Sequence, residues 1–177
     1  AYKPNLVQTI EHTPAFVHGG PFANIAHGTN SILATKLALR LSDYVITEAG
    51  FGADLGAEKY LDIVCPEAGF SPKCVVVVVT IKALKYHGES ENNKININKE
   101  NIEALKRGLV NLEKHLENMT EVFGKNVVVA INAFETDTKA ELEEVRMACA
   151  KYGAKAVLSR GWGQGGAGTQ ELAREVL

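Results

Sequence analysis

The stretch His18-Gly19-Gly20-Pro21-Phe22-Ala23-Asn24-Ile25-Ala26-His27-Gly28 puts two imidazoles, one carboxamide and three glycines between a short apolar run and an amphipathic segment. Glycines let the backbone approach a ligand closely, and successive N–H groups ahead of a helix can face an anion. A surface connector needs neither feature. The plain alternative is a tight strand-to-helix turn with a satisfied core histidine, although functional groups favour such loops.

Four further clusters carry chemistry. Glu48-Ala49-Gly50-Phe51-Gly52-Ala53-Asp54-Leu55-Gly56 offers two carboxylates among glycines, which could hold a hydrated Mg²⁺ beside a phosphate or simply cap helices. In Lys82-Ala83-Leu84-Lys85-Tyr86-His87-Gly88 two lysines could meet a phosphate or carboxylate, though solvated lysines are commoner. Asn132-Ala133-Phe134-Glu135-Thr136-Asp137 sets an aromatic ring in a polar loop. Finally, Gly161-Trp162-Gly163-Gln164-Gly165-Gly166-Ala167-Gly168 places the single tryptophan among glycines. Phe134 and Trp162 either close the end of the core or clamp a flat heterocycle, with offset stacking adding ~0.5–1.5 kcal/mol per pair.

Elements predicted from hydrophobic periodicity place these clusters together. Strands are expected at Ala15–Val17, Tyr44–Thr47, Cys74–Thr80, Val127–Ile131 and Ala156–Leu158, each just before one cluster. The unbroken valines of Cys74–Thr80 read as a central strand buried on both faces. Helices are expected over Asn30–Leu41, Ala57–Ile63 and Thr169–Leu177, along the stripe from Ile102 to Met119, and from Thr138, where Thr138-Lys139-Ala140-Glu141 fits a capping box. Polar Glu89 to Asn98 reads as a loop or lid. Alternating strands and helices predict one α/β domain over residues 1–177, a mostly parallel sheet flanked by helices. Ligands of such sheets bind at the carboxyl edge, where all five clusters would lie.

Bulk properties exclude other classes. A formal net charge of -2 gives no case for nucleic acid or an acidic membrane surface, and Val75 to Val79 is too short to span a bilayer. Three cysteines without CxxC spacing suggest reduced thiols and a cytoplasmic protein. His18 and His27 lack metal-ligand spacing, so no metal site is expected from protein side chains alone. Gly161, Gly163 and Gly166 match G-x-G-x-x-G, but no second strand and acidic residue follow before Leu177, so a nicotinamide-dependent oxidoreductase is a minor alternative. The chain contains no G-x-x-x-x-G-K-[ST] loop.

HGGPFANIAHG, TEAGFGADLGAEK, IKALKYHG, AINAFETDT and the W-x-x-G-G segment together closely resemble formate–tetrahydrofolate ligase, over essentially all 177 residues and in order. The resemblance implies a P-loop NTPase-like fold and an ATP-dependent ligase that makes 10-formyltetrahydrofolate from formate and tetrahydrofolate through formyl phosphate. It implies ATP with Mg²⁺, a monovalent cation, and a homotetramer. It also makes this chain an internal section whose P-loop lysine lies upstream of Ala1, so that the section alone is inactive. By the same resemblance Ala26, with its backbone N–H on formate or formyl phosphate, His27 and His18 form the catalytic group. Asn24 and Gly28 join Phe134 and Trp162 in substrate binding, and Phe134, Trp162, Gly165 and Gly166 hold the nucleotide. Departures from the family pattern are Ala133 and Glu135 around Phe134 (usually Arg and Pro), Lys82 for Arg, Glu89 for Gly, Gln164 for Lys and Ala167 for Glu. Those losses leave a non-catalytic folate- or nucleotide-binding module as the other alternative.

Overall fold

A computed structural model describes residues 3–19, 27–89 and 96–177. They fall into two compact units, Ala1–Ser71 and Pro72–Leu177, each described by itself.

In the first unit β1 (Asn5–Gln8) and β2 (Pro14–Val17) form an antiparallel hairpin, with Leu6 opposite Phe16. Its turn is closed by Thr9 N–H on the Thr13 carbonyl, and His12 takes φ 65° there. The expected strand Ala15–Val17 is therefore real, but among the described residues it pairs antiparallel with the preceding segment and joins no parallel sheet. Helix α1 (Ile32–Leu41) starts where the Ser31 hydroxyl accepts the Ala34 N–H at 3.1 Å. Tyr44–Thr47 is not a strand. Its alternation is legible, but among the described residues it has no ladder partner, and Ile46 stays 95% exposed. Helical turns run from Ala53–Ala57 through Tyr60–Val64 into α2 (Cys65–Ala68), well beyond the expected Ala57–Ile63. Tyr60, Val64 and Cys65 form a small core with Ile32 and Phe70 against it, and burial pushes the Tyr60 hydroxyl up to about 12.

The second unit is the α/β layer that the sequence implies. Strands β3 (Cys74–Val79), β4 (Asn126–Asn132) and β5 (Lys155–Ser159) form a parallel sheet in the order β3-β4-β5. Valine-rich β3 is an edge strand rather than the centre: Val78 is 67% exposed, whereas Val127 to Ile131 of β4 are all buried. Of the five parallel strands that the sequence suggests, three are present among the described residues, because Ala15–Val17 pairs in the hairpin and Tyr44–Thr47 forms no strand. Thr80 caps α3 (Ile81–His87), a helix that the periodicity reading does not include, by accepting the Ala83 N–H. Asn101 caps α4 (Ile102–Glu117), which buries Leu105, Leu109, Leu112 and Leu116 and ends in a wider turn at Asn118–Val122. Thr138 and Glu141 form the anticipated capping box of α5 (Lys139–Ala150). After β5 come a short α6 (Gly161–Gln164), a 3₁₀ turn (Gly165–Thr169) and α7 (Gln170–Val176).

Two contacts fix this unit. Helices α3 and α4 cross with their backbones touching. A Cβ on Gly88 would lie 1.8 Å from the Ala104 carbonyl oxygen, and one on Gly108 would lie 1.8 Å from that of Leu84. Beside the crossing, fully buried Lys85 and Glu141 form an ion pair at 2.8 Å. The Lys85 ammonium also donates to the Lys99 carbonyl, while Glu141 accepts the backbone N–H groups of Asn101 and Thr138. Burial alone would raise the Glu141 pKa. The hydrogen bonds from Lys85, Thr138 and Asn101, with the Lys85 charge, outweigh it and hold the carboxyl below its ordinary value.

Gly108→Ala should therefore destabilise the protein by about 1–3 kcal/mol despite alanine's better helix propensity, since the backbones must part; urea unfolding followed by circular dichroism checks this. Glu141→Gln leaves a buried ammonium without a counter-charge and should cost about 3–5 kcal/mol. Because the folded-state pKa of Glu141 is depressed, its stabilisation is present above the ordinary glutamate pKa and is lost as pH falls through the folded value. Acid unfolding of the Gln variant should lack that component.

Candidate functional site

In the first unit the histidine–glycine and glutamate–glycine clusters meet. Gly28, at φ 70°, accepts the Gly50 N–H on its carbonyl, and the Thr29 and Thr47 hydroxyls hydrogen-bond at 2.9 Å. Gly56 must be glycine, as a Cβ there would sit 1.8 Å from the Gly50 carbonyl oxygen. The Asn30 carboxamide donates to the Phe16 carbonyl, tying the hairpin to the start of α1. His18 Nδ1 is hydrogen-bonded to the Ser31 hydroxyl at 2.7 Å, and that hydroxyl also caps α1. A cavity of about 270 Å³ opens beside these residues, lined by His27, Thr29, Ser31, Ile63 and Glu67 among others. His27 is exposed at its rim. Asn24 and Ala26 lie outside the described residues, as do residues 90–95 of the expected lid.

The second unit assembles its groups at the carboxyl edge of the sheet. Asn132 of β4 is in register with Ser159 of β5, and the Ala133 N–H donates to the Ser159 carbonyl at 3.1 Å. Phe134 follows one of these strands and Trp162 the other, so two adjacent strand ends present the two rings. A tight turn fixes Phe134: the Asp137 carboxylate accepts its N–H at 2.8 Å, and the Asp137 N–H donates back to the Phe134 carbonyl at 3.1 Å. The other Asp137 oxygen is buried without a hydrogen bond. Burial, with the nearby Glu141 charge, pushes the Asp137 pKa up against that bond and the charges of Lys85 and Lys82. Phe134 is 44% exposed and Trp162 97% exposed, and the two rings do not touch. The Lys82 ammonium stands 4.3 Å from the centroid of the Phe134 ring.

The glycines after β5 have backbone reasons of their own. Gly165 takes φ 56°, and a Cβ on Gly168 would lie 2.6 Å from the Arg160 carbonyl oxygen, where the chain folds back. Gly163, central to the apparent dinucleotide fingerprint, faces open space and is not required by packing. Gly166 sits in the 3₁₀ turn, its carbonyl accepting the Thr169 hydroxyl.

The model of the formate–tetrahydrofolate ligase family matches residues 1–177, the whole of the chain. The chain belongs to that family. Membership supports a formate–tetrahydrofolate ligase role, with folate and formate as the small molecules concerned. Among the described residues no three His, Cys, Asp or Glu side chains gather as a metal site, and no helix is long and apolar enough to cross a membrane.

Periodicity alone missed two side chains. Lys85 lies on the buried face of α3 with Ile81 and Leu84, a spacing legible once residues 81–87 are read as helix. Glu141 was expected only as a capping residue, and nothing local announces its second partner forty positions away in the folded contact to Asn101. In the first unit Ser31 holds both a helix cap and His18. Ser31→Ala should cost about 1 kcal/mol and lower hydrogen-exchange protection at the Ala34 amide, while Ser31→Asp, which keeps a capping oxygen, should restore most of it.

Proposed function

We propose that the chain forms part of the active site of an ATP-dependent ligase that makes 10-formyltetrahydrofolate. In this reading formate attacks the γ-phosphate of ATP to give formyl phosphate and ADP. The N10 amine of tetrahydrofolate then attacks the formyl carbon and releases phosphate. Phosphoryl transfer rests on positioning and charge neutralisation, and the acyl step on donors aimed at the developing oxyanion. The Ala26 N–H is the donor proposed for that oxyanion. His18, His27, Asn24 and Gly28 are proposed around the same small molecule, consistent with the cavity beside His27 and Thr29.

The observation that carries the reading, beside family membership, is the pairing of Asn132 with Ser159. It sets Phe134 and Trp162 just beyond neighbouring strands, at the edge where parallel sheets bind ligands. We assign them to opposite faces of a flat ring, the pterin or the adenine, with Gly165 and Gly166 beside the nucleotide. A largely exposed indole has most of its surface left to bury, and such burial contributes about 25 cal/mol per Å². Mg²⁺ would arrive with the phosphates, as it is commonly held by one or two carboxylates plus substrate oxygens.

Titration of Trp162 fluorescence with tetrahydrofolate and with ADP tests this directly. Both should shift the emission to the blue and compete for one slot. Calorimetry on Phe134→Ala and Trp162→Ala should show each ligand weakened about tenfold. Unchanged affinity in both variants would refute the stacking role.

A further inference from the structure

Lys82 has no part in the reading above, yet its setting is unusual for a lysine. It follows the Thr80 cap at the carboxyl end of β3, whose Val79 pairs with Ile131 of β4, so it stands on the same edge as Phe134. The side chain is half-buried and its ammonium lies over the phenyl ring at 4.3 Å. Among the described residues it makes no hydrogen bond and no ion pair, in contrast to Lys85, Lys106, Lys114, Lys151 and Lys155, each paired with a glutamate. Two acids close to this position serve other groups. Glu141 is taken by Lys85, and Asp137 spends one oxygen on the Phe134 N–H and buries the other. Lys82 is the weakest of the charges acting on Asp137, as expected for a neighbour rather than a partner.

A ring face attracts an ammonium but accepts none of its three N–H donors strongly. The phenyl ring thus orients the cation and leaves its hydrogen-bonding capacity for something else. For a ligand stacked on the far side of Phe134, the ammonium is within reach only of substituents that extend past the edge of the ring.

We propose that Lys82 is a binding residue of the Phe134–Trp162 slot, and that its ring-held ammonium takes an oxyanion, a phosphate or a carboxylate, borne by the molecule stacked there. The inference rests on the stacking role proposed above. It names the side chain that would distinguish a charged ligand from its neutral counterpart. The anion can come from either substrate, the nucleotide phosphates or the glutamyl carboxylates of the folate.

Calorimetric titration of the unaltered protein, Lys82→Gln and Lys82→Arg with four probes separates these cases: ADP, adenosine, tetrahydrofolate, and a tetrahydropterin lacking the glutamyl tail. In Lys82→Gln the charged member of one pair should bind about tenfold or more weakly, the loss of one charge-assisted hydrogen bond. The neutral member should change less than about twofold, and Lys82→Arg should recover most of the loss. Selective loss of ADP assigns the phosphate, and selective loss of tetrahydrofolate assigns the carboxylate. Affinity for the charged ligand should also fall less steeply with added salt in Lys82→Gln than in the unaltered protein. Equal weakening of charged and neutral members, or no weakening, would overturn the proposal, because Lys82 would then only prop the ring. If Trp162→Ala and Phe134→Ala leave all four affinities unchanged, the stacking role itself fails and this inference with it.

Discussion

Burying an ammonium and a carboxylate together is expensive, and the second unit does so at the point where three of its segments converge. Lys85 comes from α3, its carbonyl partner Lys99 precedes α4, and Glu141 lies in the first turn of α5. Desolvating the pair is tolerable only because nearly every polar atom is satisfied, with Glu141 taking two backbone N–H groups besides the ammonium. Replacing such a pair by apolar side chains would strand those N–H groups. Its structural consequence is location: the start of α5 is pinned, and the turn from Phe134 to Asp137 that precedes it is pinned as well. The stacking role proposed for that ring needs such rigidity, since a misplacement of about 1 Å can cost a large factor in rate.

The backbone contact between α3 and α4 serves the same end. Gly88 and Gly108 let the helices approach until each would-be Cβ meets the other's carbonyl, closer than any alanine permits. Arg107 then donates to the Gly88 carbonyl and closes the end of α3. Lys82 and Lys85, three residues apart on that short helix, end in opposite environments. One faces the sheet edge over an aromatic ring and the other is sealed inside. Helical geometry alone does not separate them; the neighbours Phe134 and Glu141 do.

What was legible in the sequence follows the range of the interactions. Local signals read well: the Thr138-Lys139-Ala140-Glu141 box, the leucine stripe of α4, and the apolar runs of β3 to β5 all match the structure. Pairing read poorly, because a strand is defined by a partner that local sequence does not name. Ala15–Val17 therefore joined a hairpin, and Tyr44–Thr47 stayed unpaired. Five consecutive valines could not reveal that β3 is an edge with Val78 outward. At the site, strand ends were a sound guide to where Phe134 and Trp162 lie, while the burial of Lys85 and the ring-bound position of Lys82 depend on contacts between distant segments.

The glycine-rich strings that suggest ligand chemistry also carry ordinary backbone duties. Gly28, Gly56, Gly165 and Gly168 are required by positive φ or close approach, and none of those reasons involves a ligand. Chemistry must therefore be tested at the side chains. A crystal structure of the protein with tetrahydrofolate bound does this most directly. The account places the pterin between the Phe134 and Trp162 rings at the carboxyl edge of β4 and β5. Density for the pterin elsewhere, with both rings bare, would contradict it.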